Sequence, residues 1–371
     1  MRSDYRRQSL CLAVLLVPVL LVSALGEGRS SEAPQAVRPV LLANGVVLVR
    51  DAEVIGTVGL PDSTRARKLE RLAGGWILGG ERMSSNGSEL FLWRHDGEQA
   101  REFEGPLSPE QPPLRREATP LVRDGSLAGL LWLEGERHNR LAVRAAAWTA
   151  AGWGPSEPVS VPGPGSQVAV SGTVLGDGSW LAVWTWVDTQ GDAETVWSLR
   201  RNGHWSEPQR IHEDNLVHDV QPVLAGLGDR ALVVWSSFDG NDYRMRRARF
   251  DGSSWRASGF FGGRGAGDPV LEAETQPGGS GGRFASLRYV TVAPSTWSFV
   301  DFNAGGEAIA EGVLERESRD FGPVLLARDV TGAPELIWPA LGPEFPERRS
   351  PVDLAPLALA DRLSGEETDG E

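Results

Sequence analysis

The residues whose types suit chemistry are carboxylates and histidines gathered in a few polar stretches. Glu134-Gly-Glu-Arg-His138, Asp188-Thr-Gln-Gly-Asp192-Ala-Glu194 and Asp239-Gly-Asn-Asp242 each follow an apolar run. A fourth stretch is His212-Glu-Asp-Asn-Leu-Val-His218-Asp219, and together the four hold three of the five histidines. Carboxylates accept hydrogen bonds from sugar hydroxyls, and Trp186 or Tyr243 offers a flat face on which a sugar ring can stack. The expected ligand-binding set is therefore Glu134, His138, Trp186, Asp188, Asp192, His212, His218, Asp219, Asp239, Asp242 and Tyr243. A plainer reading competes with it: a solvated acidic rim whose Asp and Gly residues shape turns. A calcium reading is narrower. Asp188, Asp192 and Glu194 supply hard oxygens, but their spacing is not that of an EF-hand loop. His212 and His218 with Asp214 or Asp219 would suit zinc, yet a spacing of six in a loop does not discriminate. Beyond that calcium reading no cofactor is expected. Paired carboxylates also serve glycoside hydrolases, but every polar stretch supplies acids and no pair stands out. Gly278-Gly-Ser-Gly-Gly282 formally satisfies G-x-S-x-G; in a Gly-rich stretch without strand-to-helix context it reads as a loop.

The elements that must position these residues repeat. Gly129-Leu-Leu-Trp132, Leu181-Ala-Val-Trp184 and Leu232-Val-Val-Trp235 are apolar runs ending in Trp, spaced by 52 and 51 residues. The same register meets Trp76, Leu287 and Trp338. Two-residue turn signals keep step at Asp96-Gly97, Ala151-Gly152, Asn202-Gly203, Asp251-Gly252 and Ala304-Gly305. Such pairs tolerate the positive φ that tight hairpins need. Trp153, Trp205 and Trp255 follow three of these turns, and Pro120, Pro222 and Pro323 open apolar stretches two periods apart. Each repeat thus reads as four strands, the pattern of a propeller blade. The expected fold is all-β: a six-bladed β-propeller (five or seven blades being the alternatives) with four-stranded blades and a ring closed by N- and C-terminal strands. The strands at Val40 to Leu48 and Glu53 to Val58 are expected to complete the last blade. The Trp residues at one register position are expected to be core and to mark the inner strands. Helical spacing is confined to a short segment near Leu354 to Leu363.

The ends bound the location. Arg2, Arg6 and Arg7 precede an uncharged apolar run from Leu10 to Val22, and Val22-Ser23-Ala24 supplies small residues for cleavage. The run is shorter than the roughly 20 residues of a spanning helix and contains Pro18. Residues 1–24 are therefore expected to be a signal peptide, 25–37 a flexible segment, 38–350 the propeller and 351–371 an acidic tail. Export to the periplasm, envelope or medium follows, with no stable membrane span once the signal is cleaved. Cleavage would also remove Cys11, the single cysteine. A net charge of −13 argues against nucleic acid and anionic membranes, leaving a glycan or a protein as the expected partner. Lys68 is the only lysine among 37 Lys and Arg, a bias of the sort a GC-rich bacterial genome produces.

Asp219-x-x-Pro222-x-Leu-Ala225, the Trp-Ser pair Trp235-Ser236 and Asp251-Gly-Ser-Ser-Trp255 together resemble the sialidase-like propellers that carry Asp-box hairpins. The resemblance spreads over residues 66 to 340 and is close in 170 to 256. The Asp boxes are degenerate: Phe250 stands where the box would have Asp, and Gly203-His204-Trp205 is one residue shorter. The resemblance implies three arginines that grip a substrate carboxylate, a Tyr–Glu nucleophile and an Asp that handles protons. After cleavage the tyrosines are Tyr243 and Tyr289, with Glu274 upstream of the latter, and no arginines stand in matching motifs. The expected function is therefore a non-catalytic exported protein that binds a glycan or protein on its acidic loop face. A sialidase-like hydrolase and an envelope scaffold are the alternatives, since fold does not dictate function.

Overall fold

A computed structural model describes residues 38–42, 45–50, 53–85, 87–106, 114–160, 163–212, 217–275, 283–292, 295–315, 325–328, 334–338, 348–351 and 355–356. The chain divides into two compact units, Met1–Gln35 and Ala36–Glu371. The first, with the expected signal segment, lies outside the described residues. All named elements of the second are β-strands. Among the described residues no helix is long and apolar enough to cross a membrane.

The strands come in consecutive antiparallel modules. β1 (Arg38–Leu42), β2 (Gly45–Arg50) and β3 (Glu53–Gly59) form the first. The second comprises β4 (Thr64–Leu72), β5 (Gly75–Ser84), β6 (Gly87–His95) and β7 (Ala100–Glu102). The third is β8 (Leu114–Arg123), β9 (Ser126–Gly135), β10 (Ala142–Thr149), β11 (Gly152–Trp153) and β12 (Glu157–Pro158). A parallel bridge from Ser88 to Leu114 joins these two modules. The fourth is β13 (Ser166–Val174), β14 (Trp180–Val187), β15 (Ala193–Arg201), β16 (His204–Trp205) and β17 (Gln209–Arg210). The fifth is β18 (Asp219–Leu227), β19 (Arg230–Phe238), β20 (Tyr243–Phe250) and β21 (Trp255–Ala257). The sixth is β22 (Gly267–Thr275), β23 (Arg283–Thr291), β24 (Thr296–Phe302) and β25 (Ala308–Glu315). The seventh is β26 (Leu325–Arg328), β27 (Pro334–Trp338) and β28 (Arg348–Pro351). β29 (Ala355–Pro356) pairs with β25. First strands of successive modules lie side by side, β1 on β4, then β8, β13, β18 and β22. This is a β-propeller-like arrangement.

Three expectations change. The Trp-bearing runs are second strands, not inner ones. A second strand is flanked on both sides within its sheet, so it takes the largest buried side chains. Among the described residues the N-terminal strands do not pair with the last repeat; β1–β3 form a sheet of their own and β26–β28 another. Pairing between distant chain ends leaves no local signal, whereas the hairpins joining β1, β2 and β3 need only nearby residues. Ala355 and Pro356, read as tail or short helix, instead form a strand against Glu311 and Ala310 of β25.

The core lies between modules. Trp76, Trp132, Trp184 and Trp235 are at most 2% exposed, and Leu287 takes the corresponding place in β23 at 0%. One cluster joins Leu133, Val143 and Val159 of the third module to Val170, Trp180 and Trp184 of the fourth. The next joins Trp197 and Leu199 to Val233, Trp235 and Phe250. The expected third-to-fourth-strand hairpins are present. Asn202 (φ 51°) and Gly203 (φ 84°) together make the β15–β16 turn, a conformation open to Asn and Gly at little steric cost. The Trp after each turn reaches back to the preceding module. Trp153 Nε1 donates to the Glu104 carbonyl at 2.7 Å, and Trp205 Nε1 to Glu157 Oε1 at 3.1 Å. Trp255 sits edge-on to Trp197 at 6.1 Å.

The inner strands share a bulge that was not expected. Register slips between Ala66 and Lys68, Arg116 and Thr119, Val168 and Ser171, Val220 and Val223, and Gly267 and Val270. Glu117, Ala169, Gln221 and Asp268 sit in these bulges with φ of 50–57°. A bulge bends its strand and re-aims a side chain. Pro222 and Pro269 lie inside bulges, where the ladder needs no N–H. Pro120 instead pairs with Leu130 beyond its bulge, so the proline spacing does not mark a single structural position.

Candidate functional site

The bulges converge on a cavity of about 340 Å³ lined by Arg67, Glu117, Ala169, Gln221 and Asp268 among others. Their polar groups largely stitch the modules together. Val170 N–H donates to Glu117 Oε2 at 3.2 Å and Asp268 N–H to Gln221 Oε1 at 3.3 Å. Leu224 N–H donates to Ser171 Oγ at 3.1 Å. Burial pushes the Glu117 carboxyl above its ordinary pKa, although Arg67 Nη2 stands 3.7 Å away.

Beside this cavity three arginines meet one carboxylate. Glu81 is fully buried, and Arg116 Nε donates to it at 2.9 Å and Arg67 Nη2 at 3.3 Å, with Arg65 Nη1 at 3.8 Å. Burial alone would raise the Glu81 pKa; the Arg116 hydrogen bond and the charges of Arg67 and Arg116 outweigh it and hold the group below its ordinary value. The arginines thus converge on a carboxylate of the chain itself. Tyr289 of β23 is 4% exposed and edge-on to Phe261, and burial raises its phenol. Glu274 pairs with Phe284, five residues along β23 and thus roughly 17 Å from Tyr289. They do not form the nucleophile pair that the resemblance implies.

The acids of the expected rim mostly serve their own turns. Asp188 Oδ1 accepts the N–H groups of Gln190 at 2.7 Å and Asp192 at 3.0 Å; Asp192 Oδ1 accepts that of Ala193 at 3.0 Å. Asp239 Oδ1 accepts the N–H groups of Asp242 at 2.9 Å and Asn241 at 3.0 Å, bonds that lower its pKa. Asp242 Oδ1 accepts Tyr243 N–H at 2.8 Å. The calcium grouping fails because Asp188 and Asp192 cap the β14–β15 turn, while Glu194 gathers with His212 and Asp219. Glu134 is not on a rim: it is 8% exposed, takes the Trp132 Nε1 hydrogen bond at 2.8 Å and faces Arg144 Nε at 3.2 Å. His138 is exposed beside Arg116, Nδ1 to Nη1 3.1 Å. His218 Nδ1 lies 3.5 Å from the Tyr243 hydroxyl, and Tyr243 is edge-on to Phe238. His212 instead meets Asp219.

Trp186 does line a cleft. At the end of β14 it is half-buried, in a cleft of about 530 Å³ with Ser160, Gln167, Glu207, Gln209 and Arg210. Gln167 lies directly opposite Trp186 across β13–β14. Gln167 is 6% exposed, and its Oε1 has no hydrogen-bond partner among the described residues. The Arg210 guanidinium lies 5.7 Å over the Trp186 ring, with Nε 4.0 Å from Glu194 Oε1. Sequence reasoning found Trp186 but missed Gln167 and Arg210, which come from a neighbouring strand and a short outer strand. The 52-residue spacing of Glu117, Ala169 and Gln221 was the available signal for the bulges.

No protein-family model matches the sequence, and no curated protein matches it either. Solved structures do match in fold. The BP39L lectin from Burkholderia pseudomallei is 14% identical over 88% of this chain and 96% of the lectin, with a TM-score of 0.54. A Trypanosoma rangeli sialidase, solved with 2,3-difluorosialic acid as a covalent intermediate, is 11% identical over 80% of this chain, with a TM-score of 0.50. The match covers 54% of the sialidase, so the chain spans about half its length. At such identities the likeness is one of fold: a β-propeller-like chain similar to a lectin and to part of a sialidase.

Proposed function

We propose that this chain is an exported saccharide-binding protein whose ligand sits in the Trp186 cleft. One observation carries the reading: the buried Gln167 carbonyl without a donor, directly opposite a half-buried indole. Buried acceptors are nearly always satisfied, so an orphan at a cleft wall points to a group supplied by a ligand. A sugar hydroxyl donates to this oxygen once the Gln167 amide turns toward the cleft, while the C–H face of the same ring stacks on Trp186. Ser160, Glu207 and Gln209 add polar partners, and Arg210 lies over the indole at the cleft wall. A chain charge of −13 favours a neutral saccharide over an acidic polymer. The fold likeness to a lectin supports a carbohydrate ligand.

The test is a glycan array followed by calorimetry on the best hits. Trp186→Ala and Gln167→Leu are expected each to weaken binding about tenfold or more, in line with loss of a central stacking or hydrogen-bonding contact. A wild-type protein that binds no saccharide, or a Trp186→Ala variant that binds as tightly, overturns the reading. Aryl glycosides are expected to remain intact. Turnover lost on substituting one carboxylate would replace the binding protein with a hydrolase.

A further inference from the structure

A second cluster lies where the fourth module meets the fifth. Glu194 is the second residue of β15, His212 follows β17 and Asp219 opens β18. One ligand atom from each lies within 4.8 Å of the others. Glu194 is 1% exposed and Asp219 0%, and the His212 side chain is about nine-tenths buried. His212 stacks on Trp235 at 5.7 Å and 9°, which fixes the ring plane and aims Nε2 at Asp219 Oδ2, 2.5 Å away. The other Asp219 oxygen, Oδ1, is buried and has no hydrogen-bond partner among the described residues.

We propose that Glu194, His212 and Asp219 form a binding site for a divalent transition metal of the zinc class. Two carboxylates this close and this buried repel each other unless a positive charge lies between them. Arg210 reaches Glu194 at 4.0 Å but stands with its guanidinium over Trp186, so its charge is shared with the cleft. An imidazole nitrogen with two carboxylates is a donor set that zinc accepts readily, with bonds of roughly 2.0–2.2 Å. Calcium prefers six to eight oxygens and fits this set poorly. On binding, the Nε2–H···Oδ2 hydrogen bond is replaced by metal–nitrogen and metal–oxygen bonds. The metal-bound ring keeps one proton, on Nδ1: an imidazolium releases its Nε2 proton to solvent, while a neutral ring moves it to Nδ1. Asp219 Oδ1 gains a partner either directly or through a metal-bound water. The ion links β15 and the end of the fourth module to the first residue of the fifth. The inference does not depend on the saccharide reading, since none of its three ligands lines the Trp186 cleft.

The experiment strips the full chain with EDTA and titrates it with zinc chloride, with calcium chloride as comparator. Bound metal is measured by mass spectrometry after gel filtration, and the melting temperature is followed in parallel. The wild type is expected to hold one equivalent of zinc and to melt higher with zinc, with no shift in calcium. His212→Gln and Asp219→Asn are expected to lose both responses. Should either variant fail to fold, Glu194→Gln keeps side-chain shape and is expected to weaken zinc binding about tenfold or more. Trp186→Ala is expected to bind zinc normally, so failure of the saccharide reading and failure of this one are separable. A stripped wild type that takes up no zinc overturns the proposal, and so does zinc binding of wild-type affinity in folded His212→Gln or Glu194→Gln.

Discussion

Two neighbouring glutamates show how local partners set opposite pH responses. Glu81 is held below its ordinary value of 4.5 by Arg116 and Arg67, against the effect of burial. Its stabilising contribution is therefore full above the unfolded value and is lost as pH falls through the folded one. Glu117 is raised above 4.5 by burial. Its contribution runs the other way: full below the unfolded value and lost as pH rises through the folded one. Glu81→Gln is expected to cost about 1–3 kcal/mol at pH 7, less than a fully buried pair because Arg65 and Arg67 remain partly exposed. That cost should shrink as the wild type is acidified below pH 4.5. Glu117→Gln is expected to cost less at pH 7 and to remove a decline of stability between acidic and neutral pH. Urea melts across that range check both. Parallel pH profiles for the two variants would show that the arginines do not distinguish the two carboxylates.

Elements were legible where the signal is local and hidden where it is not. The Asn202-Gly203 turn and the Trp runs announce themselves in a few residues; the structure forms the turn as expected and buries the Trp residues, though on second strands. The bulges were hidden because Glu117, Ala169, Gln221 and Asp268 share a position but no chemistry. Trp186 was readable as an aromatic at a strand end; Gln167 was not, because its role arises from cross-strand pairing. His212 and Asp219 were named among other acids and histidines, but Glu194 joins them only through the junction of two modules. Packing between modules also depends on small residues. A Cβ on Gly129 of β9 would stand 2.2 Å from Trp180 Cη2 of β14 and 2.7 Å from the Ala146 carbonyl oxygen. Gly129 therefore lets the indole of the fourth module lie on the backbone of the third. Gly129→Ala is expected to lower stability by about 1–3 kcal/mol through overpacking. Adding Trp180→Leu should recover part of that loss, because the ring clash disappears while the carbonyl clash stays. Denaturant melts of the single and double variants measure it, and strictly additive losses would mean that the two residues do not compete for the same space.

At the scale of the molecule, repetition of strands is not repetition of sites. The third, fourth and fifth modules each present a position two residues after a buried Trp of the second strand. After Trp184 it is Trp186, half-buried in the cleft. After Trp132 it is Glu134, held by Trp132 Nε1 and Arg144. After Trp235 it is Ser237, fully buried. The partners across the next strand diverge as well: Glu194 faces Trp186, Ala142 faces Glu134 and Arg244 faces Ser237. An aromatic platform with an orphan amide beside it therefore arises in the fourth module and is absent from the third and fifth. The saccharide stoichiometry is expected to be one per chain, not one per module, and calorimetry with a monovalent sugar reads it directly. Three or more equivalent sites would place binding on features that the modules share, such as the inner-strand bulges, and would move the ligand away from Trp186.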